Sequence, residues 1–224
     1  MPLASIEQAI EAYAQGEFLV VVDDEDRENE GDLIIAADAM TPEKMNFMIR
    51  HTSGVICAPK SDERADQLDL SLMVVENTES MRTAFTVSVD VIEGTSTGIS
   101  ASDRSATVTA LANPDQIGTD FARPGHIFPL RARKGGVLKR AGHTEAAVDL
   151  SRLAIGDLSP YGVICEIMND DGSMARYNDL VKFCKRHNLK MSSIKDLIEY
   201  KLKKDKFVRC IKTDELSLSK FGKF

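Results

Sequence analysis

The sequence predicts an α/β (α+β) fold, a three-layer αβα sandwich around a mixed parallel and antiparallel sheet. Apolar runs of strand length alternate along the chain with amphipathic stretches that carry helix-capping residues. Some predicted strands follow one another directly and others are separated by helices, which favours a sheet with both kinds of pairing. The chain has 224 residues, 43% of them hydrophobic, and is therefore long enough to bury such a core.

The first elements are marked by capping residues. Ser5 and Gln8 form a capping-box pattern, and Gly16 ends the helix that it predicts. Thr41 before Pro42 predicts a second helix, since threonine caps well and proline suits the first helical turn. Continuous apolar runs predict strands over residues 18–22, 33–37 and 54–58.

The middle of the chain combines an alternating strand with two helices. Apolar residues alternate over residues 84–91, which predicts a half-buried strand. Ser102 is expected to cap a helix that the Asn113-Pro114 pair ends, and Thr144 to cap another. Between those helices lies a segment punctuated by proline and glycine, residues 123–130, which is interpreted as a loop.

The last third repeats the alternation. A strand is predicted over residues 162–168, followed by a turn at residues 169–172. Asn178 is expected to cap a helix that ends near His187. A short strand over residues 189–191 and an amphipathic helix over residues 193–202 complete the pattern.

Charge divides the chain into an acidic body and a basic tail. Residues 182–224 hold 13 of the 28 Lys and Arg residues but only 5 of the 35 Asp and Glu residues. An acidic body argues against nucleic acid as a partner. No apolar run approaches the roughly 20 residues of a membrane span, which argues against a membrane partner.

The N-terminus and the cysteines indicate the compartment. The first 15 residues are acidic and amphipathic, unlike a signal peptide or an Arg-rich transit sequence. The four cysteines form no C-x-x-C pair, and those at 57 and 165 lie in apolar runs, as small buried residues do in a reducing compartment. We therefore predict a cytoplasmic protein. A redox-sensitive thiol at Cys57 is the alternative.

An acidic segment is the first candidate site. Seven of the ten residues from Asp23 to Asp32 are acidic, and Arg27 is the only cation among them. The segment directly follows a predicted buried strand, where α/β proteins often place ligands. Clustered carboxylates repel unless cations neutralise them, and Mg²⁺ takes oxygen ligands. The alternative is a solvated acidic turn, and the spacing does not match an EF-hand loop.

The segment GHTEAAVDL, residues 142–150, is the second candidate. Gly142 permits a tight backbone, and the free N–H groups at a helix start can bind an anion. Arg140 lies just upstream and could hold a phosphate or carboxylate through two hydrogen bonds. The alternative is an ordinary capped helix with a structural His143.

Two further titratable residues are candidates for proton transfer. His126 follows Pro124-Gly125, which would hold it rigidly for acid–base chemistry near neutral pH. Glu166 lies in an apolar strand, where burial would suit it as a base. A packed or surface histidine and simple strand alternation are the alternatives. We interpret His51 and His187, near helix ends, as structural.

Six motifs in order resemble those of 3,4-dihydroxy-2-butanone 4-phosphate synthase, a lyase of riboflavin biosynthesis. The resemblance covers about residues 5–202. The motifs are DDEDRENEGDL (23–33), SGVIC (53–57), TGISASDR (97–104), RPGHIFPL (123–130), GHTEAAVDL (142–150) and CEIMNDDGSMAR (165–176).

The resemblance implies conversion of D-ribulose 5-phosphate into formate and L-3,4-dihydroxy-2-butanone 4-phosphate with Mg²⁺ or Mn²⁺, two ions per site, in a homodimer whose sites are completed across the interface. Motif positions then imply metal ligands, substrate contacts and proton-transfer residues. The implied metal ligands are Glu28 and His143. The implied substrate contacts are Arg27, Glu28, Asp32, Arg140, Gly142, Thr144 and Glu166, and the implied catalytic residues are His126 and Glu166. Ser100, Asp103 and Arg104 match a motif that implies a phosphate or partner-subunit role.

The domain division follows from the same resemblance. Residues 1–203 are expected to form the synthase domain. Residues 204–224 resemble the junction to a GTP cyclohydrolase II domain, without the cysteine cluster that its zinc would need. A truncated piece of a longer protein and a monofunctional protein with a remnant tail are both open. Another metal-dependent sugar-phosphate enzyme and a non-catalytic binding module are the alternative functions.

Overall fold

The computed structural model describes residues 3–156 and 161–204, together with the backbone of residues 217–218 and 222–223. The helices are α1 (Ile6–Ala14), α2 (Pro42–His51), α3 (Asp62–Gln67), α4 (Ala101–Ala112), α5 (His143–Ile155), α6 (Tyr177–His187) and α7 (Ile194–Lys204). The strands are β1 (Leu19–Val22), β2 (Gly31–Ala36), β3 (Cys57–Ser61), β4 (Val89–Val91), β5 (Phe121–Ala132), β6 (Gly162–Glu166), β7 (Lys190–Ser193), β8 (Ser217–Leu218) and β9 (Gly222–Lys223). Of the predicted tail, residues 204–224, Lys204 ends α7 and the antiparallel β8–β9 pair is described, and the other residues lie outside the described part.

Strands β1 to β7 form one mixed sheet in the order β4-β5-β3-β6-β2-β1-β7. The β1–β7 and β3–β5 pairs are parallel, and the other neighbouring pairs are antiparallel. The hairpin between β1 and β2 brings the acidic segment back against the sheet. The mixed sheet of the predicted fold class is confirmed.

Helices cover both faces of this sheet, because successive strand side chains point to opposite sides. Val20 and Leu33 face a core that includes side chains of α2, α4 and α6. Val21 and Ile34 face the other core, where α1, α5 and α7 pack. The two cores on either side of the sheet make the three layers that the sequence predicts.

Three predicted helix starts differ from the structure. Ser100, rather than Ser102, caps α4, because its Oγ accepts the N–H of Asp103. Gly142 is the N-cap of α5, so Thr144 lies inside the first turn and caps nothing. Helix α6 starts one residue before Asn178. The predicted caps Ser5 and Thr41 are confirmed.

Six of the seven strands in the mixed sheet were predicted, but with different bounds. Only Val89–Val91 of the alternating segment is a strand, and just before it Phe85 and Thr86 make isolated bridges. Strand β3 begins three residues after the predicted start. The segment interpreted as a loop lies inside the long strand β5. The short helix α3 was not predicted.

The proline and glycine in β5 nevertheless have a local effect. Val89 and Asp90 are consecutive, yet they pair with Ile127 and Ala122. Residues 123–126 therefore bulge out of the ladder, and proline is tolerated in a strand at such bulges. His126 ends this bulge.

No helix among the described residues is long and apolar enough to cross a membrane.

Candidate active site

The acidic segment is folded around Asp23. The carboxylate of Asp23 accepts the backbone N–H groups of Glu28 at 3.1 Å and Glu30 at 2.9 Å. It also accepts Nη1 of Arg27 at 2.8 Å, and its side chain is fully buried. Arg176 closes the segment from outside by donating to the carbonyl groups of Glu28 and Asn29. These bonds turn the side chain of Glu28 towards the start of α5.

His143 is the first residue of α5 and is buried. Its Nε2 lies 3.0 Å from the carbonyl oxygen of Val21, which can only accept, so Nε2 carries a proton and donates it to this carbonyl. Its Nδ1 lies 3.8 Å from a carboxylate oxygen of Glu28 and 3.8 Å from Oδ1 of Asp32. One potential metal-ligand atom from each of Asp23, Glu28 and His143 can be chosen so that all three lie within 4.8 Å of one another.

These groups perturb one another strongly. Burial raises the pKa of Asp32 to about 7, although the nearby His143 opposes the shift. Burial by itself would lower the pKa of His143, but the charges of Asp32 and Glu28 outweigh it and raise the pKa to about 9. The neighbouring His143 ring and the charge of Arg27 lower the pKa of Glu28 to about 2, against the effect of burial.

The same residues fit a divalent cation. Oδ1 of Asp32 is buried and accepts no hydrogen bond from any part of the chain that the structure describes. Carboxylate oxygens suit Mg²⁺ and Mn²⁺, and an imidazole nitrogen whose opposite N–H is tied to a carbonyl is a common metal ligand. A bound cation would replace the protons that His143 and the neighbouring carboxylates otherwise hold.

Glu166 joins this group from the neighbouring strand. In the β2–β6 ladder it stands directly opposite Asp32. Its Oε2 accepts the N–H of Val55 at 2.9 Å. A Cβ on Gly54 would lie 2.4 Å from that oxygen, so Gly54 makes room for the carboxylate. The structure therefore brings together Glu28, Asp32, His143 and Glu166, and their roles stay a prediction.

Two guanidinium groups converge on Gly142. A Cβ on Gly142 would lie 2.3 Å from Nη1 of Arg140 and 3.1 Å from Nη2 of Arg27. Both cations thus lie against the N-terminus of α5, where free N–H groups and the helix dipole favour an anion. Thr144 is buried in the first turn of the same helix. Each guanidinium group is also paired with carboxylates, Arg27 with Asp23 and Glu28, and Arg140 with the buried Glu145.

His126 lies away from this group within one chain. It is on β5, and β3 separates β5 from β6, so the strands of His126 and Glu166 are about 10 Å apart. Nδ1 of His126 is 2.7 Å from Oδ2 of Asp90, and its backbone N–H donates to Oδ1 at 2.9 Å. A Cβ on Gly98 would collide with both side chains.

The Asp90 carboxylate was missed in the sequence analysis. The signal that could have found it is the one used for Glu166, an acid within an apolar strand. Ser100 and Asp103 build the turn that presses Gly98 on the pair, because Asp103 Oδ2 accepts the N–H of Gly98 at 3.0 Å. Arg104 lies in the next position of α4, and its buried Nε meets no acceptor among the described residues.

The remaining titratable residues are structural in this fold. Burial raises the pKa of the Cys57 thiol well above its usual range, and Glu166 adds to the shift, so the thiolate is disfavoured. His51 and His187 end α2 and α6, and their ring centroids lie 4.7 Å apart in a tilted arrangement beside Phe47 and Phe183. This packing agrees with the structural interpretation of both histidines.

Fold and site together define an α/β protein with a cluster of carboxylates and one imidazole beside a helix N-terminus that two guanidinium groups approach. Residues 7–200 match the family of 3,4-dihydroxy-2-butanone 4-phosphate synthase. The chain belongs to this family, whose relatives are named for riboflavin biosynthesis.

The 3,4-dihydroxy-2-butanone 4-phosphate synthase of Agrobacterium fabrum is 58% identical over 200 residues, which are 89% of this chain and 93% of that protein. The riboflavin biosynthesis protein RibBA of Bacillus subtilis is 60% identical over 196 residues, 88% of this chain but only 48% of its own length. A crystal structure of a 3,4-dihydroxy-2-butanone 4-phosphate synthase with two magnesium ions has a TM-score of 0.86 and 47% identity over 90% of this chain and 98% of that one. The chain therefore spans nearly all of some relatives and about half of others.

Two Arabidopsis thaliana relatives are named as chloroplastic, and the cytoplasmic location stays a prediction.

Proposed function

We propose that this protein converts D-ribulose 5-phosphate into L-3,4-dihydroxy-2-butanone 4-phosphate and formate. One observation carries the proposal: the N-terminus of α5 holds the Glu28–His143 donor pair on one side and the guanidinium groups of Arg27 and Arg140 on the other. A ketose phosphate has a carbonyl and hydroxyls at one end and a dianion at the other. Here the Glu28–His143 pair can bind a cation for the carbonyl and hydroxyl end, and the two guanidinium groups can bind the phosphate.

Glu28 and His143 would hold Mg²⁺ or Mn²⁺, and two ions per site follow the magnesium-bound structural neighbour. The bound cation would polarise the substrate carbonyl as a Lewis acid. Asp23 fixes Glu28 through the backbone, and Val21 fixes the ring of His143. Both ligands are therefore oriented before a cation binds.

The phosphate would lie against the first turn of α5. Arg140 and Arg27 can donate several N–H groups, and Gly142 leaves the space in which they meet. Thr144 can add a hydroxyl from inside the turn. Arg27 also pairs with Asp23 and Glu28, so it links the anion corner to the donor set.

The proton transfers fall to the carboxylates and to His126. Removal of the C3 proton gives an enediol, loss of the C1 hydroxyl gives a methyl diketone, and a 1,2-shift and hydration release C4 as formate. The water lost in the second step returns in the last, so no oxidant or further reactant is needed. Glu166 and Asp32 stand opposite each other in the sheet and can exchange protons with one side of the substrate's carbon skeleton. His126, oriented by Asp90, serves the opposite side.

A homodimer with shared sites would bring His126 to that position from the second subunit. Within one chain, β3 stands between the strands of His126 and Glu166. Residues 72–75 form a run of apolar side chains at 45% exposure or more, and Val55 and Ile99 are also exposed. Contiguous exposed apolar residues are typical of interaction surfaces. These observations support a partner copy of the same chain.

The decisive experiment is a coupled assay for formate with ribulose 5-phosphate and Mg²⁺, with carbon NMR of the products. We expect formate and a four-carbon phosphate, and no formate after chelation of the metal or with unphosphorylated ribulose. A product without formate would indicate a different sugar-phosphate enzyme. A folded protein that forms no product would contradict the proposal.

A further inference from the structure

Arg140 is held on three sides, by Glu145 in the first turn of α5 and by two groups of the segment that contains Met81 and Thr83. Nη1 donates to Oε2 of Glu145 at 2.7 Å, Nη2 to Oγ1 of Thr83 at 2.8 Å, and Nε to the carbonyl of Met81 at 3.3 Å. Glu145 is 1% exposed, and its other oxygen accepts the N–H of Arg133 at 2.9 Å. The guanidinium plane is therefore set by two separate segments of the chain.

The segment that carries Thr83 is itself rigidly built. The Glu79 carboxylate accepts the N–H of Met81 at 2.6 Å and of Thr83 at 2.8 Å, and the hydroxyl of Ser80 at 3.0 Å. Asn77 donates to the carbonyl of Thr83 at 2.9 Å. These bonds fix the two acceptors that this turn offers to Arg140.

We propose that Glu145 and Thr83 are positioning residues that orient Arg140 for the phosphate. Three of the five guanidinium N–H donors are engaged in the clamp, and the group lies against Gly142, where a Cβ would be 2.3 Å from Nη1. The two remaining donors are available to an anion at the start of α5. An arginine whose plane is already set loses less conformational freedom when it binds. This inference rests on the proposed function for the identity of the phosphate.

Thr83 offers the cleaner test, because valine has the same shape without the acceptor and serine keeps the hydroxyl. The binding of inorganic phosphate to the full chain is measured by calorimetry, and the kinetics with ribulose 5-phosphate are measured separately. For Thr83→Val we expect Kd and KM to rise about fivefold, the factor of one ordinary hydrogen bond, with kcat within about twofold. Thr83→Ser should match the unmodified protein.

A double-mutant cycle separates positioning from general structure. In an Arg140→Ala background, Thr83→Val should leave Kd for phosphate unchanged, because the hydroxyl acts only through Arg140. Glu145→Gln should raise Kd more than Thr83→Val, and circular dichroism with thermal unfolding checks that it folds. An unchanged Kd for Thr83→Val, or an equal loss in both backgrounds, would overturn the inference. Phosphate binding without formate production would contradict the proposed function and leave this test intact.

Discussion

Nδ1 of His143 lies 3.8 Å from a carboxylate oxygen of Glu28, while Nε2 of the same ring lies 3.0 Å from the carbonyl of Val21. The backbone of β1 thus orients the ring at the start of α5 towards the acidic segment. Two potential metal ligands from distant parts of the chain thus lie within reach of one cation.

His143→Ala should weaken binding of Mn²⁺, followed by electron paramagnetic resonance. We expect a loss at least as large as the 10- to 100-fold that removal of an outer-shell partner causes. His51→Ala is the matched control, since that ring packs against His187, away from the proposed metal ligands. Equal Mn²⁺ affinity in both variants would show that the ring is not a ligand.

Gly142→Ala should impair anion binding with little loss of stability. The backbone of Gly142, with φ of −114°, is accessible to alanine, but the new Cβ would lie 2.3 Å from Arg140 Nη1. We expect KM for ribulose 5-phosphate to rise by about tenfold, equivalent to about 1.4 kcal/mol. Ala141→Ser, at the exposed neighbouring residue, is the control. A KM unaffected by Gly142→Ala would place the phosphate elsewhere.

Asp90→Asn should lower kcat because the carboxylate orients His126 through two hydrogen bonds. We expect a loss of about 10- to 100-fold, part of the 10²–10⁴ that acid–base catalysis supplies. Mn²⁺ affinity should be unchanged, since the Asp90 carboxylate contacts His126 and none of the proposed metal ligands. A normal kcat would mean that His126 needs no orientation.

Shared sites predict complementation between inactive variants. Mixed subunits of His126→Ala and His143→Ala should regain activity, because each heterodimer keeps one intact site. Random pairing gives about one quarter of full activity. Glu28→Gln mixed with His143→Ala should regain none, since both changes affect the same side. Failure of the first mixture, with subunit exchange shown by mass spectrometry, would place each site within one chain.

Lys60→Met should stabilise the fold more at pH 7 than at pH 10. Nζ of Lys60 makes no hydrogen bond to any described residue, and burial together with Arg64 lowers its pKa well below the usual range. The unfolded chain binds a proton there and the folded chain does not, so stability rises with pH up to about 10.4.

Lys60→Met removes this dependence of stability on pH, because methionine does not titrate. The expected gain at pH 7 is about 1–3 kcal/mol in urea unfolding, with a smaller gain at pH 10. Exposed Lys139→Met should change neither value. A gain that is equal at both pH values would show that Lys60 is charged in the folded protein.

Local chemistry explains what could be predicted from the sequence. The capping box at Ser5 and the threonine–proline start at Thr41 depend on neighbouring residues alone, and both are confirmed. The start of α5 is different. Gly142 takes the N-cap position that the preference for threonine assigned to Thr144, because two arginine side chains lie where the Cβ of any other residue would be.

The sequence by itself determined the alternation of helices and strands, the acidic segment after β1 and the motifs that place the chain in its family. Tertiary structure decided which of these residues meet. The β2–β6 register sets Glu166 opposite Asp32, and the order of strands holds His126 two strands away beside Asp90. Strand order and register depend on contacts between residues far apart in the chain, which local patterns do not encode.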